Sequence, residues 1–384
     1  MQNFAFHNPT KVLFGRGQIA AMATEIPAGS RILLTLGGGG IKASQAYAQV
    51  QQALQGFQVV EFAGIEAHPS YETMLKVVEL VRAEAIDFLV ALGGASILDG
   101  TRFIAMATLF PGDPWELCMG GGAPAPSLPW GAVLTLPSTG AEGNQHGLLT
   151  RLATREKLAF PQSLAFPCFT VVDPEVTLSL PRRQIANGVV AAFVHLTEQY
   201  LTYPAEVPLQ DRLAEGLLAT LIEEGPRTLA DPKDYAARCN MLWCSMAAFH
   251  GLVGCGAPQD GATHAIGQEL VAFHGLDHAQ ALAIILPNLL WVQRESKAEK
   301  LLQYADRIWQ AREGSQASRV AQAIIRTRNF FESLGVGTHL SDYNIGSERF
   351  DEILARFEAR KLLPLGDRQD LDAVRLHEIL MLAR

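Results

Sequence analysis

The sequence has no CxxC pair of the kind that carries a redox couple or a compact zinc site. Its five cysteines stand at 118, 168, 239, 244 and 255, an odd number without any CxxC. That argues against a disulfide framework or a thiolate zinc site and fits a reducing compartment. Charge is sparse, with 18% charged residues and a formal balance of −8, and no run rich in lysine or arginine occurs. A nucleic-acid partner is therefore not expected. No uncharged apolar stretch reaches membrane-spanning length, and the opening MQNFAFHNPTKVLFG lacks the apolar centre of a secretory signal. The GxGxxG fingerprint with an acidic residue about 20 positions later is missing too. These absences leave a soluble, cytoplasmic protein whose partner is a small molecule.

The 384 residues are 48% hydrophobic, enough for two domains with real cores. In the first half, short apolar runs alternate with helical patterns. Runs at 31–36, 59–62, 86–92, 130–136 and 169–172 read as strands, with helices near 45–54 and 71–84. Strand, helix, strand at this spacing predicts βαβ units in a parallel sheet. Residues 4–15, bounded by NPT and FGRG, read as a further strand. Past Pro181 the pattern turns helical: 184–200, 209–224, 234–251, 264–273, 277–294, 297–309, 315–334 and on to the end. The expected division is an α/β domain over 1–180 and an all-α domain over 181–384. The stretch 119–129, MGGGAPAPSLP, reads as a loop too short to link domains.

Two glycine turns follow strands and precede helices: LTLGGGGIKAS at 34–44 and VALGGASILDGTRFIAM at 90–106. Glycine lets backbone approach a pyrophosphate closely, and a helix N-terminus offers free N–H groups. Ser96 adds a hydroxyl. Each run alone is equally a tight strand-to-helix turn. Two on neighbouring strands point better to a dinucleotide, because both can face one ligand at the strands' carboxyl ends. An acidic residue at the end of the first strand would grip an NAD ribose and repel a 2′-phosphate. Glycines stand there instead, at 37–40, followed by Lys42. This favours NADP(H) over NAD(H), although Lys42 also reads as an ordinary solvated lysine. A third loop, TLPSTGAEGN at 135–144, presents hydroxyls that suit a phosphate or nicotinamide, or simply a polar turn.

Ten histidines are present, among them His195, His264 and His278 in the helical half. Neutral imidazole is a common ligand of zinc and ferrous iron. Three such ligands with an open position make a site that polarises a carbonyl. Spacing alone does not establish this, since a lone helical histidine is more often simply packed.

Together these blocks resemble the iron-containing, group III alcohol dehydrogenases. The likeness is greatest to their NADP-dependent aldehyde reductase or butanol dehydrogenase-like branch. It runs from FHNPTKVLFGRG to HLSDY, with LTLGGGG, GGASILDGT, TLPSTGAEGN, VVDPEVTLSLP, NGVVAAFVH and ATHAIGQELVAFHGLDHAQALAIILP between. The resemblance implies a dehydroquinate synthase-like fold: an N-terminal α/β dinucleotide-binding domain, an all-α C-terminal domain, and a site in the cleft. It implies cofactor contacts at Gly37, Gly38, Gly39, Gly40 and Lys42, at Gly93, Gly94, Ser96 and Asp99, at Thr135, Ser138 and Thr139, and at Lys157 and Leu178. It implies a divalent metal, zinc or iron, on His195, His264 and His278. It also implies an aldehyde or primary alcohol as substrate, and a homodimer.

The family binds its metal with three histidines and an aspartate, and the aspartate position is Ala191 here. A further active-site histidine of the family is Gln268, which hydrogen-bonds but does not shuttle protons near neutral pH. The third departure is small: Ala95 where the family has glycine. Glu142 and Asp260 are the carboxylates expected to fill the gap if one does. The alternative is a catalytically weakened, nucleotide-binding relative that has lost its metal. No catalytic residue is assigned from the sequence.

Overall fold

The computed structural model describes residues 1–119, 126–136, 140, 142–144, 147–154, 156–160 and 166–384. They form two compact units, His7–Leu180 and Met1–Phe6 with Pro181–Arg384. The first six residues thus count with the helical unit, where the Gln2 amide donates to the Gly256 carbonyl at 2.9 Å.

The α/β unit is a parallel sheet in the order β1-β8-β5-β4-β2-β3. Its strands are β1 (Lys11–Phe14), β2 (Arg31–Gly37), β3 (Gln58–Ile65), β4 (Phe88–Gly94), β5 (Trp130–Leu136) and β8 (Phe169–Val172). Strands of a parallel sheet are covered on both faces, so they read as unbroken apolar runs. That is the character of RILLTLG in β2 and FLVALGG in β4, buried from Ile32 to Leu36 and from Phe88 to Gly93. Each large aliphatic side chain so buried contributes about 1.5–3 kcal/mol. The edge strand β3 shows the opposite, with Glu61 and its neighbours partly exposed. Helices α1 (Gln45–Ala53), α2 (Tyr71–Ala83) and α3 (Ala95–Leu109) make the crossovers. Ser44 caps α1 and Ser70 caps α2, each hydroxyl accepting from a backbone N–H of the first turn.

Two features of this unit differ from expectation. Of residues 4–15, Lys11–Phe14 alone pairs, in parallel with β8, because backbone and loop groups take up the preceding residues instead. An antiparallel hairpin, β6 (Leu148–Arg151) and β7 (Glu156–Ala159), was not anticipated. Its strands are four residues each, too short to show a period.

The helical unit comprises α4 (Arg182–Tyr200), α5 (Pro208–Ala230), α6 (Tyr235–Phe249), α7 (Ala262–His274), α8 (His278–Val292), α9 (Ala298–Arg307), α10 (Gln316–Ser333), α11 (Phe350–Ala359) and α12 (Ala373–Leu382). Helix α4 packs against α5, α6 and α8 and is buried on nearly every face, as expected of a helix apolar all round. Helix α5 continues beyond the Glu224 end expected from the sequence. It carries Pro226 in its interior, where a proline ordinarily ends a helix.

Candidate functional site

In the α/β unit the chain runs from β2 outward to β3, then back past β2 to β4. The strand order therefore reverses between β2 and β4, the position at whose carboxyl edge doubly wound sheets take their ligands. Both glycine turns lie at that edge, on hydrogen-bonded neighbours. Their glycines have different reasons to be glycine. A Cβ on Gly93 would stand 2.4 Å from Ile97 Cγ1, so helix α3 comes as close as it does because no side chain intervenes. At Gly38 and Gly40 a Cβ would meet nothing within 4 Å, and neither has a left-handed backbone. Neither packing nor conformation calls for glycine there, and the surface is left bare. Gly37, with an Ile97 methyl 3.2 Å from where its Cβ would lie, and Gly94, similarly close to Leu136, belong to the packed class. Gly39 opens the short turn Gly39–Ala43 that carries Lys42.

Lys42 is not simply solvated. Its ammonium pairs with Glu61 of β3 at 2.5 Å, and Glu61 also accepts from Tyr47 at 2.7 Å and from Gln51. Burial pushes the Glu61 carboxyl up, but these donors outweigh it and hold it below the ordinary carboxylate value. The hydrogen bond to Glu61 in turn raises the Lys42 pKa. The acidic residue absent from the end of β2 is thus brought alongside by β3.

Ser96 is the second residue of α3, and its hydroxyl donates to the Ala67 carbonyl, so it offers a ligand its oxygen rather than its proton. Asp99, one turn on, accepts from the Leu148 amide at 3.2 Å and so anchors the hairpin to α3. Burial drives its carboxyl up to about 6, against the fully buried Arg102 guanidinium 3.6 Å away. Glu142 shares this surrounding and is raised by burial to about 7. The hairpin carries Lys157, whose Nζ stands 3.5 Å from His68 Nδ1. Desolvation lowers the Lys157 pKa while Asp99 opposes the shift. Thr135 is the penultimate residue of β5, half-buried, and Leu178 ends the short turn after β8, also half-buried. Ser138 and Thr139 lie outside the described residues.

In the helical unit, His195, His264 and His278 converge: one ligand nitrogen from each lies within 4.8 Å of the others. They come from mid-α4, the first turn of α7 and the first residue of α8. Helix α4 organises the set along one face, because residues three or four apart stack on the same side. Asn187 donates to Asp277 Oδ2 at 2.8 Å, and Asp277 caps α8 just before His278. Ala191 follows, 1% exposed. His195 comes next, its ring against Phe249. Glu198 completes the row. One of its oxygens accepts from the His264 amide at 3.2 Å, and the other bonds His264 Nδ1.

That bond turns His264 Nε2 toward His195 Nε2, 2.7 Å away. Desolvation, reinforced by His264 and His278, keeps the His195 pKa well below its ordinary value, so its ring is neutral and fit to ligate. The donor set suits zinc or ferrous iron. Metal–imidazole bonds of about 2.0–2.1 Å at tetrahedral angles set two donors about 3.3 Å apart. Loading asks His195 and His264 to part by only about half an ångström.

Neither carboxylate expected to fill the gap belongs to this set. Asp260 is held by the buried Lys297 at 2.8 Å and caps α7 through the Ala262 amide. Glu142 belongs to the α/β unit. Gln268 is exposed. Sequence reasoning missed Glu198, Asn187 and Phe249. For Glu198 the signal was present: a glutamate three residues after His195 on a helix shares its face.

Comparison with known proteins gives a consistent result. Residues 9–174 match the model of the iron-containing alcohol dehydrogenases, and residues 185–367 match that of the C-terminal region of the Fe-containing alcohol dehydrogenase family. The chain is 49% identical over 374 residues to the NADPH-dependent aldehyde reductase YqhD of Escherichia coli, covering 97% of each chain. The solved substrate- and cofactor-free form of YqhD superposes with a TM-score of 0.96 at 47% identity, over 100% of both chains. The NADH-dependent butanol dehydrogenase A of Thermotoga maritima superposes with a TM-score of 0.93 at 31% identity, over 100% of this chain and 99% of that one.

Proposed function

The chain belongs to the iron-containing alcohol dehydrogenase family, and from that premise we propose that it is an NADP(H)-dependent oxidoreductase interconverting an aldehyde and its primary alcohol, assisted by a divalent metal on His195, His264 and His278. The observation that carries this is the convergence of the three imidazoles within 4.8 Å in a chain 49% identical to an NADPH-dependent aldehyde reductase.

When bound, the dinucleotide supplies hydride and the metal draws electron density from the carbonyl oxygen. The chain's own residues prepare for both. Gly38 and Gly40 leave a bare surface at the carboxyl edge of β2, against which a pyrophosphate approaches the backbone. Gly93 lets the N-terminus of α3, with its free N–H groups, close on the same edge. Lys42 offers its charge to a 2′-phosphate, and Thr135 and Lys157 serve the nicotinamide side. Desolvation keeps His195 neutral rather than imidazolium, so a cation would meet no positive charge on that ring. Gln268 does not titrate near neutral pH, which leaves proton exchange to water or a cofactor hydroxyl.

Ala191 and Gln268 are the observations that speak for a catalytically weakened relative. Against it stands the gathered, oriented imidazole set, which a lapsed site has no reason to keep. A cytoplasmic homodimer completes the proposal; among the described residues no helix is long and apolar enough to cross a membrane. The test follows NADPH absorbance with short aldehydes, before chelation, after it, and after adding back zinc or ferrous iron. Aldehyde-dependent loss of absorbance that chelation abolishes and metal restores is the expected result. No turnover under any of these conditions would end the proposal.

A further inference from the structure

The carboxylate of Glu198 is 8% exposed, and its partners are unusual for a buried acid. Among the described residues, its ion-pair partner is His264 and no lysine or arginine. The buried cation that lines the same small cavity is accounted for: Lys297 already meets Asp260 at 2.8 Å, Asp367 at 2.7 Å and the Leu201 carbonyl at 2.7 Å. A buried anion without a cation is costly. Glu198 nevertheless sits where both its oxygens are spoken for by one residue, the His264 amide and the His264 ring.

We infer that Glu198 is a positioning residue for the metal site, acting through His264, and that it supplies the negative charge that no inner ligand provides. The inference rests on the metal reading above. Three neutral imidazoles bring no charge to a divalent cation, and Ala191 brings none either. Glu198 stands one bond farther out. By accepting the proton of Nδ1 it leaves the Nε2 lone pair free and aimed at His195 and His278. By accepting from the His264 amide it also fixes the first turn of α7, where Gly261 offers no side-chain cap. Such outer partners of a ligating histidine set its tautomer and raise its basicity.

Glutamine at this position isolates the effect. Its single oxygen can serve the amide or Nδ1, but not both. Its NH2 group turned to Nδ1 would move the ring proton to Nε2, into the ligand position. The test is titration of metal-stripped protein with Co²⁺, read by visible absorption of the bound ion and by competition with a chelator. Parent, Glu198→Gln and Glu198→Asp are compared, with apo melting temperature and NADPH affinity measured alongside. Nitrogen NMR of the apo protein reports the His264 tautomer.

Glu198→Gln is expected to bind Co²⁺ about 10–100-fold more weakly and to shift the His264 proton to Nε2, with NADPH affinity unchanged. Glu198→Asp, which keeps the charge but shortens the reach, is expected to fall between. Parent and Glu198→Gln binding Co²⁺ equally would overturn this inference and leave the metal reading standing. A parent that binds no Co²⁺ would overturn both. Should Glu198→Gln fail to fold, the tautomer in the parent decides: an Nε2-protonated His264 in apo protein contradicts the role.

Discussion

The glycine edge of the α/β unit and the histidine cluster of the helical unit are built by opposite means. The first is a backbone device: two contiguous turns on adjacent strands, whose character is the absence of side chains at Gly38, Gly40 and Gly93. The second is a side-chain device, assembled from α4, α7 and α8 and held by a row of residues on one face of α4. A backbone device tolerates any change that leaves the space open. A side-chain device depends on each partner, and here it lacks a carboxylate at Ala191. The chain therefore concentrates its vulnerability in the helical unit and its cofactor preference in the α/β unit.

Breaking the cluster should have the largest effect. His264→Ala removes a ligand and strands the Glu198 carboxylate, and should lower metal-dependent aldehyde reduction about a thousandfold; NADPH affinity, measured by fluorescence, should not follow. Completing the cluster comes next. Ala191→Asp places a carboxylate one helical turn from His195 and should tighten Zn²⁺ binding by roughly ten- to a hundredfold. The same change buries an unpaired acid in the apo protein, so its melting temperature should fall without metal and recover with it.

The two kinds of glycine supply a third contrast. Gly93→Ala should cost about 1–3 kcal/mol by overpacking against Ile97, seen in urea unfolding. Gly38→Ala should leave stability within about 0.5 kcal/mol and weaken dinucleotide binding instead. The reverse pattern would show that the bare surface at Gly38 is not where the cofactor lies.

The smallest expected effect concerns cofactor choice. Lys42→Ala should reduce NADPH affinity about tenfold and leave NADH affinity nearly unchanged. Glu61→Gln releases Lys42 from its ion pair and should raise the NADPH-to-NADH preference, by less than that. Loss of affinity for both cofactors in Lys42→Ala would place the lysine away from the 2′-phosphate.

Much of the architecture was legible because parallel strands announce themselves. The run at 130–136 is β5 residue for residue, and that at 169–172 is β8. The β6–β7 hairpin was not legible: LLTR and EKLA are short, and the contact that ties β6 down comes from Asp99 on α3, about fifty residues earlier. Helix α5 ran past its expected end because tertiary packing overrides the proline signal at Pro226. Pro287 lies inside α8, within the stretch 277–294 that reads as helical.

Among site residues, the glycine turns were readable as contiguous motifs. The three histidines stood out as candidates, but their convergence is a property of helix packing that no spacing encodes. The carboxylate expected near them was sought at Glu142 and Asp260. Asp260 is held by Lys297, Glu142 lies buried within the influence of Arg102, and the carboxylate that meets a histidine of the set, Glu198, reaches the site only through His264. Likewise Glu61 reaches Lys42 across the sheet from β3 and not along β2, a neighbourhood that sequence order does not show.

The most direct test is elemental analysis of protein purified without chelator, parent beside His264→Ala. The account predicts close to one zinc or iron per chain in the parent and next to none in the variant. Equal metal in both, or none in the parent, would contradict it.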